Sequence, residues 1–123
     1  MTAISKRLPQ PVAAYIRATN EHDVAAFIAC FTEDAEVNDA AREFRGIEAI
    51  RAWSEREIVA PRVTLEVLDV AKINGEVIVT TKVDGNFDRT GLPDPVIIDH
   101  HVTLANERIC RLTCVLAGAG KPA

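Results

Sequence analysis

Phe31-Thr-Glu-Asp-Ala-Glu-Val-Asn-Asp39 is the stretch at which the chain changes its secondary structure. Just before it, Val24, Phe27, Ile28 and Phe31 recur at i, i+3, i+4 and i+7, which is one apolar face of a helix directed into a core. The helical pattern ends at Phe31, a short turn is expected, and a strand follows that carries Asn38 and Asp39. Asp39 therefore falls at the edge of the core. A carboxylate beside apolar walls loses hydration, which raises its affinity for a proton and suits it to accept one near neutral pH. An Asp at a strand end is also a common turn-former bonded to its own backbone, and both readings stand at this level.

Upstream, Pro9 and Pro11 sit where prolines are tolerated at a helix start, and a first helix is expected from about residue 10 to 21. Leu8, Val12, Ile16 and Thr19 form its inner stripe, with Tyr15, the only tyrosine, beside it, read as a core-edge aromatic whose hydroxyl reaches water. Asn20-Glu-His-Asp23 interrupts the pattern, and Asp23 is placed to cap the second helix. Downstream, Ala40 to Arg45 is a short segment with a polar end. Gly46 then precedes Ile47, Ile50, Trp53 and Ile58, spaced for a third helix that Pro61 closes.

From Arg62 the period becomes two. Val63, Leu65 and Val67 alternate with polar neighbours, Asn74-Gly75 is a hairpin turn, and Val77, Val79, Thr81 and Val83 continue the alternation. Asp88 to Pro95 is a loop long enough to act as a lid. In the strand Val96 to Leu104, alternation puts Asp99, His101 and Thr103 on one face, and Ile98, His100, Val102 and Leu104 on the other. Asp99 and His101 mark the first of these faces as the ionisable one. Ile109 to Leu116 is apolar on both sides, as for a strand covered on both faces.

The 123 residues, 48% of them hydrophobic, suit one domain, placed at 11–117 between an N-terminal arm at 1–10 and a disordered tail at 118–123. A net charge of −4 with no basic stripe argues against nucleic acid and against an anionic membrane surface. No apolar run approaches the roughly 18 residues of a membrane span, and Met1 to Leu8 lacks the apolar centre of a secretory signal, so a cytoplasmic protein is expected. Cys30, Cys110 and Cys114 suit a reducing compartment. Cys110 and Cys114 share a strand face by alternation, but their spacing is not that of a zinc site, and no metal set is proposed from it. Without a glycine-rich phosphate loop, no cofactor is implied.

Three helices followed by long antiparallel strands describe an α+β layered fold. The segments Tyr15-Ile-Arg-Ala-Thr-Asn-Glu-His-Asp23, Phe31 to Asp39 and Gly46-Ile-Glu-Ala-Ile50 resemble the nuclear-transport-factor-two-like superfamily, which includes SnoaL-like polyketide cyclases and bacterial steroid delta-isomerases. The resemblance spans about residues 11 to 116. It implies a cone in which three N-terminal helices pack on a curved antiparallel sheet enclosing a pocket, and a homodimer formed through the sheet.

The steroid isomerases place a tyrosine, an aspartate base and an oxyanion-hole aspartate in contexts similar to those of Tyr15, Asp39 and the Asp99 of Ile-Asp-His100. By that resemblance, Asp39 would take the proton alpha to a ketone and return it at the gamma carbon. Tyr15 and a protonated Asp99 would donate to the enolate oxygen. Phe27, Phe31, Trp53, Phe87 and His101 would contact the substrate, a small hydrophobic carbonyl compound. A protonated His101 would instead hold Asp99 ionised, giving an Asp–His acid–base pair more like that of a cyclase.

Four functions remain open: a double-bond isomerase, a cyclase performing an aldol step, a non-catalytic binder of an apolar metabolite, and an interaction module. An epoxide hydrolase of this fold would need an Asp-Arg-Asp cluster. Arg111 is able to reach a pocket, but no spacing singles it out.

Overall fold

The computed structural model describes residues 8–117, so most of the expected arm and the whole tail from Gly118 lie outside the described residues. Helix α1 is Gln10–Glu21, capped by Pro9 with Pro11 in its first turn. It ends where His22 adopts a left-handed conformation and turns its N–H back to Ala18 and Thr19. Helix α2, Val24–Ala29, starts at Asp23, whose carboxylate accepts from the Ala26 N–H at 3.1 Å.

Strand β1, Phe31–Asp39, begins directly after a one-residue turn at Cys30, so the turn precedes Phe31 and Phe31 is the first residue of the strand. The helical spacing of Phe31 misleads because the strand turns the same side chain into the same core. A hairpin through Ala40 and Ala41, at φ 54° and 66°, leads to β2, Arg42–Arg45. Two positive φ values are normally the mark of Asn-Gly, so Ala-Ala carries no turn signal and nothing in the sequence announces β2.

Helix α3, Ile47–Ser54, runs into a π-helical turn, Glu55–Val59, in which the Ala60 N–H reaches back five residues to the Glu55 carbonyl at 3.0 Å. The five-residue step from Trp53 to Ile58 is out of phase for an α-helix but in phase for this wider turn, so both side chains are buried. Strands β3 (Thr64–Ile73), β4 (Glu76–Asp84), β5 (Val96–Ala105) and β6 (Arg108–Leu116) complete the sheet, and the Asn74-Gly75 hairpin forms as the sequence predicts.

The sheet order is β2-β1-β6-β5-β4-β3. It is mixed and not purely antiparallel as expected, because β1 runs parallel to β6. Inward residues of β1, β4, β5 and β6, among them Val37, Val79, Val102 and Leu112, are buried with Val12 and Ile16 of α1, Phe27 of α2 and Ile50 of α3 in one core cluster. A bulge at Cys110 keeps Ile109 and Leu112 both facing inward and breaks the alternation that had tied Cys110 to Cys114. The other face of β6 is open, with Arg111 exposed and Val115 40% exposed, against the expectation of cover on both sides. The 85–95 loop is anchored by the Asn86 N–H on the Pro61 carbonyl and packs Phe87 and Leu92 against the core.

Asn20 joins the helices to the sheet's far edge. Its side chain accepts from the Leu65 N–H at 2.6 Å and donates to the Leu65 carbonyl at 3.0 Å, completing the backbone pairing of an edge strand. Asn20→Ala removes both bonds, and the expected loss is about 1–3 kcal/mol in urea denaturation. A loss below a few tenths would show that water replaces the clamp.

Candidate active site

Sheet register builds a polar row on the inner face. Asp39 pairs with Cys114, Cys114 with His100, and His100 with Val79, so these four residues of four adjacent strands share one face. Cross-strand neighbours of this kind stand about 4.5–5.5 Å apart at Cβ. Tyr15 descends onto the row from α1; it is fully buried and not at the core edge, and its hydroxyl meets Nδ1 of His100 at 3.0 Å instead of water. On the other side of the ring, Nε2 is 2.9 Å from Oγ1 of Thr81.

Burial sets the protonation of this chain. His100 is 4% exposed. Burial first of all, and then His101, lower its pKa to about 4 against the opposing pull of Asp99, so the imidazole is neutral and bears one N–H. The Thr81 hydroxyl donates to the Ile98 carbonyl at 3.4 Å, which leaves its oxygen to accept from Nε2–H. Nδ1 is then the bare nitrogen, and Tyr15 O–H donates to it. Burial, with Cys114 and Asp39 nearby, holds the Tyr15 phenol well above its ordinary value, and burial raises the Cys114 thiol likewise.

Asp39 closes the row at the surface, its side chain 23% exposed. Its Oδ2 accepts from the Trp53 indole at 3.1 Å and from Nη2 of Arg42 at 3.0 Å. The expectation of a carboxylate against bare apolar walls is corrected here, since two donors hold it, one of them a cation. Neither donor is a backbone amide of the following turn, so the simple turn-former reading is not what is found. Arg42 also donates to Glu57 on the π-helical turn, at 3.2 and 3.3 Å. This hydrogen bond is the main reason that the Glu57 pKa is lowered and that of Arg42 raised. The Arg42 guanidinium lies 5.6 Å from the centre of the Phe44 ring.

Of the residues expected at the site, Tyr15, Asp39, Phe27, Phe31 and Trp53 are brought together. The Tyr15 ring centre is 5.5 Å from that of Phe27 and 6.3 Å from that of Phe31, and Phe27 is 6.0 Å from Trp53. Asp99 and His101 are not with them. The alternation along β5 holds, but the face carrying Asp99 and His101 is the outer one: Asp99 accepts from Thr80 at 2.6 Å, and His101 Nδ1 is 3.3 Å from Glu76. An oxyanion hole made of Tyr15 and Asp99 is therefore not assembled, and neither is an Asp99–His101 pair at the site. Phe87 lies beside Gly85 with the Arg89 guanidinium 4.6 Å from its ring centre, in the loop after β4. Arg111 is on the outer face, 3.8 Å from Glu36.

His100, Thr81, Cys114, Arg42 and Glu57 belong to this arrangement, and sequence reasoning does not mark them as site residues. For His100 a signal existed: a histidine flanked at two-residue spacing by Ile98 and Val102 shares an otherwise apolar strand face. Hollows of about 380, 340 and 270 Å³ open beside Cys30, Arg17 and Arg45, and none of the three is lined by Asp39, Tyr15 or His100.

Comparison with known proteins follows the fold. The sequence profile of the SnoaL-like domain matches residues 12–112. The chain belongs to the SnoaL-like domain family. No curated protein matches it. Among solved structures, a candidate polyketide cyclase of Sinorhizobium meliloti is 29% identical with a TM-score of 0.81, over 90% of this chain and 98% of that one. A Catenulispora acidiphila protein with a ketosteroid isomerase-like fold is 21% identical with a TM-score of 0.74, over 89% and 87% of the two chains. A candidate ketosteroid isomerase of Kribbella flavida is 12% identical, also with a TM-score of 0.74, over 94% and 81%. The latter two likenesses concern the fold. In this SnoaL-like domain the inner row of Asp39, Cys114 and His100, with Tyr15 above it, is where ionisable groups enter the core, and no described helix is long and apolar enough to cross a membrane.

Proposed function

We propose that this SnoaL-like domain transfers a proton on an apolar carbonyl compound with Asp39 as the acceptor, in the manner of a cyclase closing a ring by an aldol step. The observation that carries this reading is the polar row. Burying polar groups costs stability that apolar residues of similar size would not, so Tyr15, Thr81 and Cys114 gathered on His100, with Asp39 next to Cys114 in register at the surface, ask for a reason beyond folding.

In the proposed step, Asp39 takes the proton from the carbon alpha to a carbonyl, and the C–H electron pair becomes an enolate. The enolate carbon attacks a second carbonyl of the same molecule, forming a C–C bond. The new alkoxide recovers the proton from Asp39, which restores the base with no cofactor. Phe27, Phe31 and Trp53 supply apolar walls, and Arg42 has to leave Asp39 before the carboxylate meets the ligand.

Double-bond isomerisation uses the same base and returns the proton at the gamma carbon. It ranks second because its second oxyanion donor is missing: Asp99 faces outward and the single N–H of His100 is given to Thr81. The likeness to the Sinorhizobium candidate cyclase supports the same order.

The test is hydrogen–deuterium exchange alpha to the carbonyl of α-tetralone in D2O, followed by proton NMR. Catalysed exchange above the buffer rate is expected. An unchanged rate with the ketone demonstrably bound would reject proton transfer and leave a binding protein. The isomerase alternative is read separately, from the ultraviolet absorbance of a β,γ-unsaturated ketosteroid.

A further inference from the structure

Two hydrogen donors converge on a single lone pair in the core. Nδ1 of His100 lies 3.0 Å from the Tyr15 hydroxyl and 3.8 Å from the Cys114 sulfur. The neutral ring, with its proton committed to Thr81 through Nε2, offers one acceptor site at Nδ1. The hydroxyl, being the nearer and stronger donor, holds that site in the unliganded protein. The thiol, 3.8 Å from the same nitrogen, stands beside it as the second donor.

Among the described residues, no buried side-chain nitrogen or oxygen lacks a hydrogen-bond partner. A ligand oxygen that draws the Tyr15 hydroxyl toward itself would break this condition at Nδ1, and an unpartnered buried acceptor is costly. We propose that Cys114 is a positioning residue: its thiol takes over Nδ1 of His100 when Tyr15 turns its hydroxyl to a ligand carbonyl. The change is rotation about the Tyr15 C–O and Cys114 Cβ–S bonds. No covalent bond to hydrogen forms or breaks, the imidazole keeps its tautomer, and Nδ1 keeps a donor.

This handover explains why a thiol stands between His100 and Asp39 in the row. Valine would fill similar space and bury without a polar atom, but it has no hydrogen to lend. The ligand half of the proposal rests on the proton-transfer reading above, whereas the exchange of donors at Nδ1 does not.

Tyr15→Phe in the ligand-free protein imposes the exchange by deleting the competing hydroxyl. The S–H stretching band in the infrared, assigned to Cys114 by its loss in Cys114→Ala, is expected at lower frequency in Tyr15→Phe, since the thiol then has the Nδ1 lone pair to itself. Nitrogen-15 NMR is expected to show His100 still protonated at Nε2. An unmoved band, or a proton shifted to Nδ1, overturns the handover.

On α-tetralone, Cys114→Ala is expected to lower kcat for exchange about tenfold with little change in KM, the effect of one neutral hydrogen bond. Cys114→Ser, which keeps a donor, is expected to restore most of the rate. Equal losses in the two variants would make Cys114 a packing residue and overturn the proposal. A shifted S–H band in a protein that does not exchange α-tetralone would instead sustain the handover and reject the proton-transfer reading.

Discussion

Asp39→Asn is expected to lower the rate of α-proton exchange on α-tetralone by about 10²- to 10⁴-fold, the usual contribution of a positioned general base. The amide keeps the size of the side chain and an oxygen able to accept from the Trp53 indole, so the mouth of the row retains its shape. What it loses is the proton-accepting carboxylate. Ketone affinity is expected to change far less than the rate, because the apolar walls of Phe27, Phe31 and Trp53 are untouched. A variant that exchanges as fast as the wild type would remove Asp39 from the chemistry.

The second large effect is on stability against pH, and its sign follows from His100. The folded-state pKa of about 4 lies below the ordinary 6.5. Between those values the unfolded chain binds the extra proton and the folded one does not, so stability rises with pH across this window. The contribution is complete above 6.5 and is lost as pH falls toward 4, amounting to about 3 kcal/mol for a shift of this size at a fully buried group. Urea denaturation at a series of pH values is expected to show that slope in the wild type, and His100→Gln is expected to flatten it.

Glu57, whose pKa is lowered below its ordinary 4.5 chiefly by the hydrogen bond from Arg42, contributes above that value, and its share is lost at lower pH than that of His100. At the alkaline end the sign reverses. The Cys114 and Tyr15 pKa values are raised by burial, so their contributions are present below the ordinary 9.0 and 10.0 and are lost as pH rises above them. The stability plateau is thus bounded by His100 on the acid side and by the thiol and phenol on the alkaline side. A wild type with equal stability at pH 4.5 and 7 would refute a neutral, buried His100.

Local chemistry made much of the fold readable. Pro9 and Pro11 at the start of α1, Asp23 as the cap of α2, Gly46 before α3 and Asn74-Gly75 between β3 and β4 each act through their own backbone or an adjacent amide. They need nothing distant, so they carry their meaning in the sequence. The Ala40-Ala41 turn and the π-helical step at Glu55–Val59 were not readable in the same way. Neither has a residue type that demands it, and each is held by the packing of the segments on either side.

The sequence by itself determined that Phe27, Ile28 and Phe31 enter a core with Asp39 at its edge, and that residues 96–104 divide into two alternating sets. Only the tertiary structure buries Tyr15 to 2% exposure, with its hydroxyl on His100. Which set faces inward was decided only by tertiary structure. Alternation is symmetric between the two faces of a strand, and the symmetry is broken by what covers the sheet. Here α1, α2 and α3 cover the face of His100 and Val102, leaving Asp99 and His101 on the opposite side. The partners of the site are non-local in the same sense. Tyr15 meets His100 across 85 positions and Asp39 meets Trp53 across 14, contacts that exist only because strand register and helix packing bring the ends together.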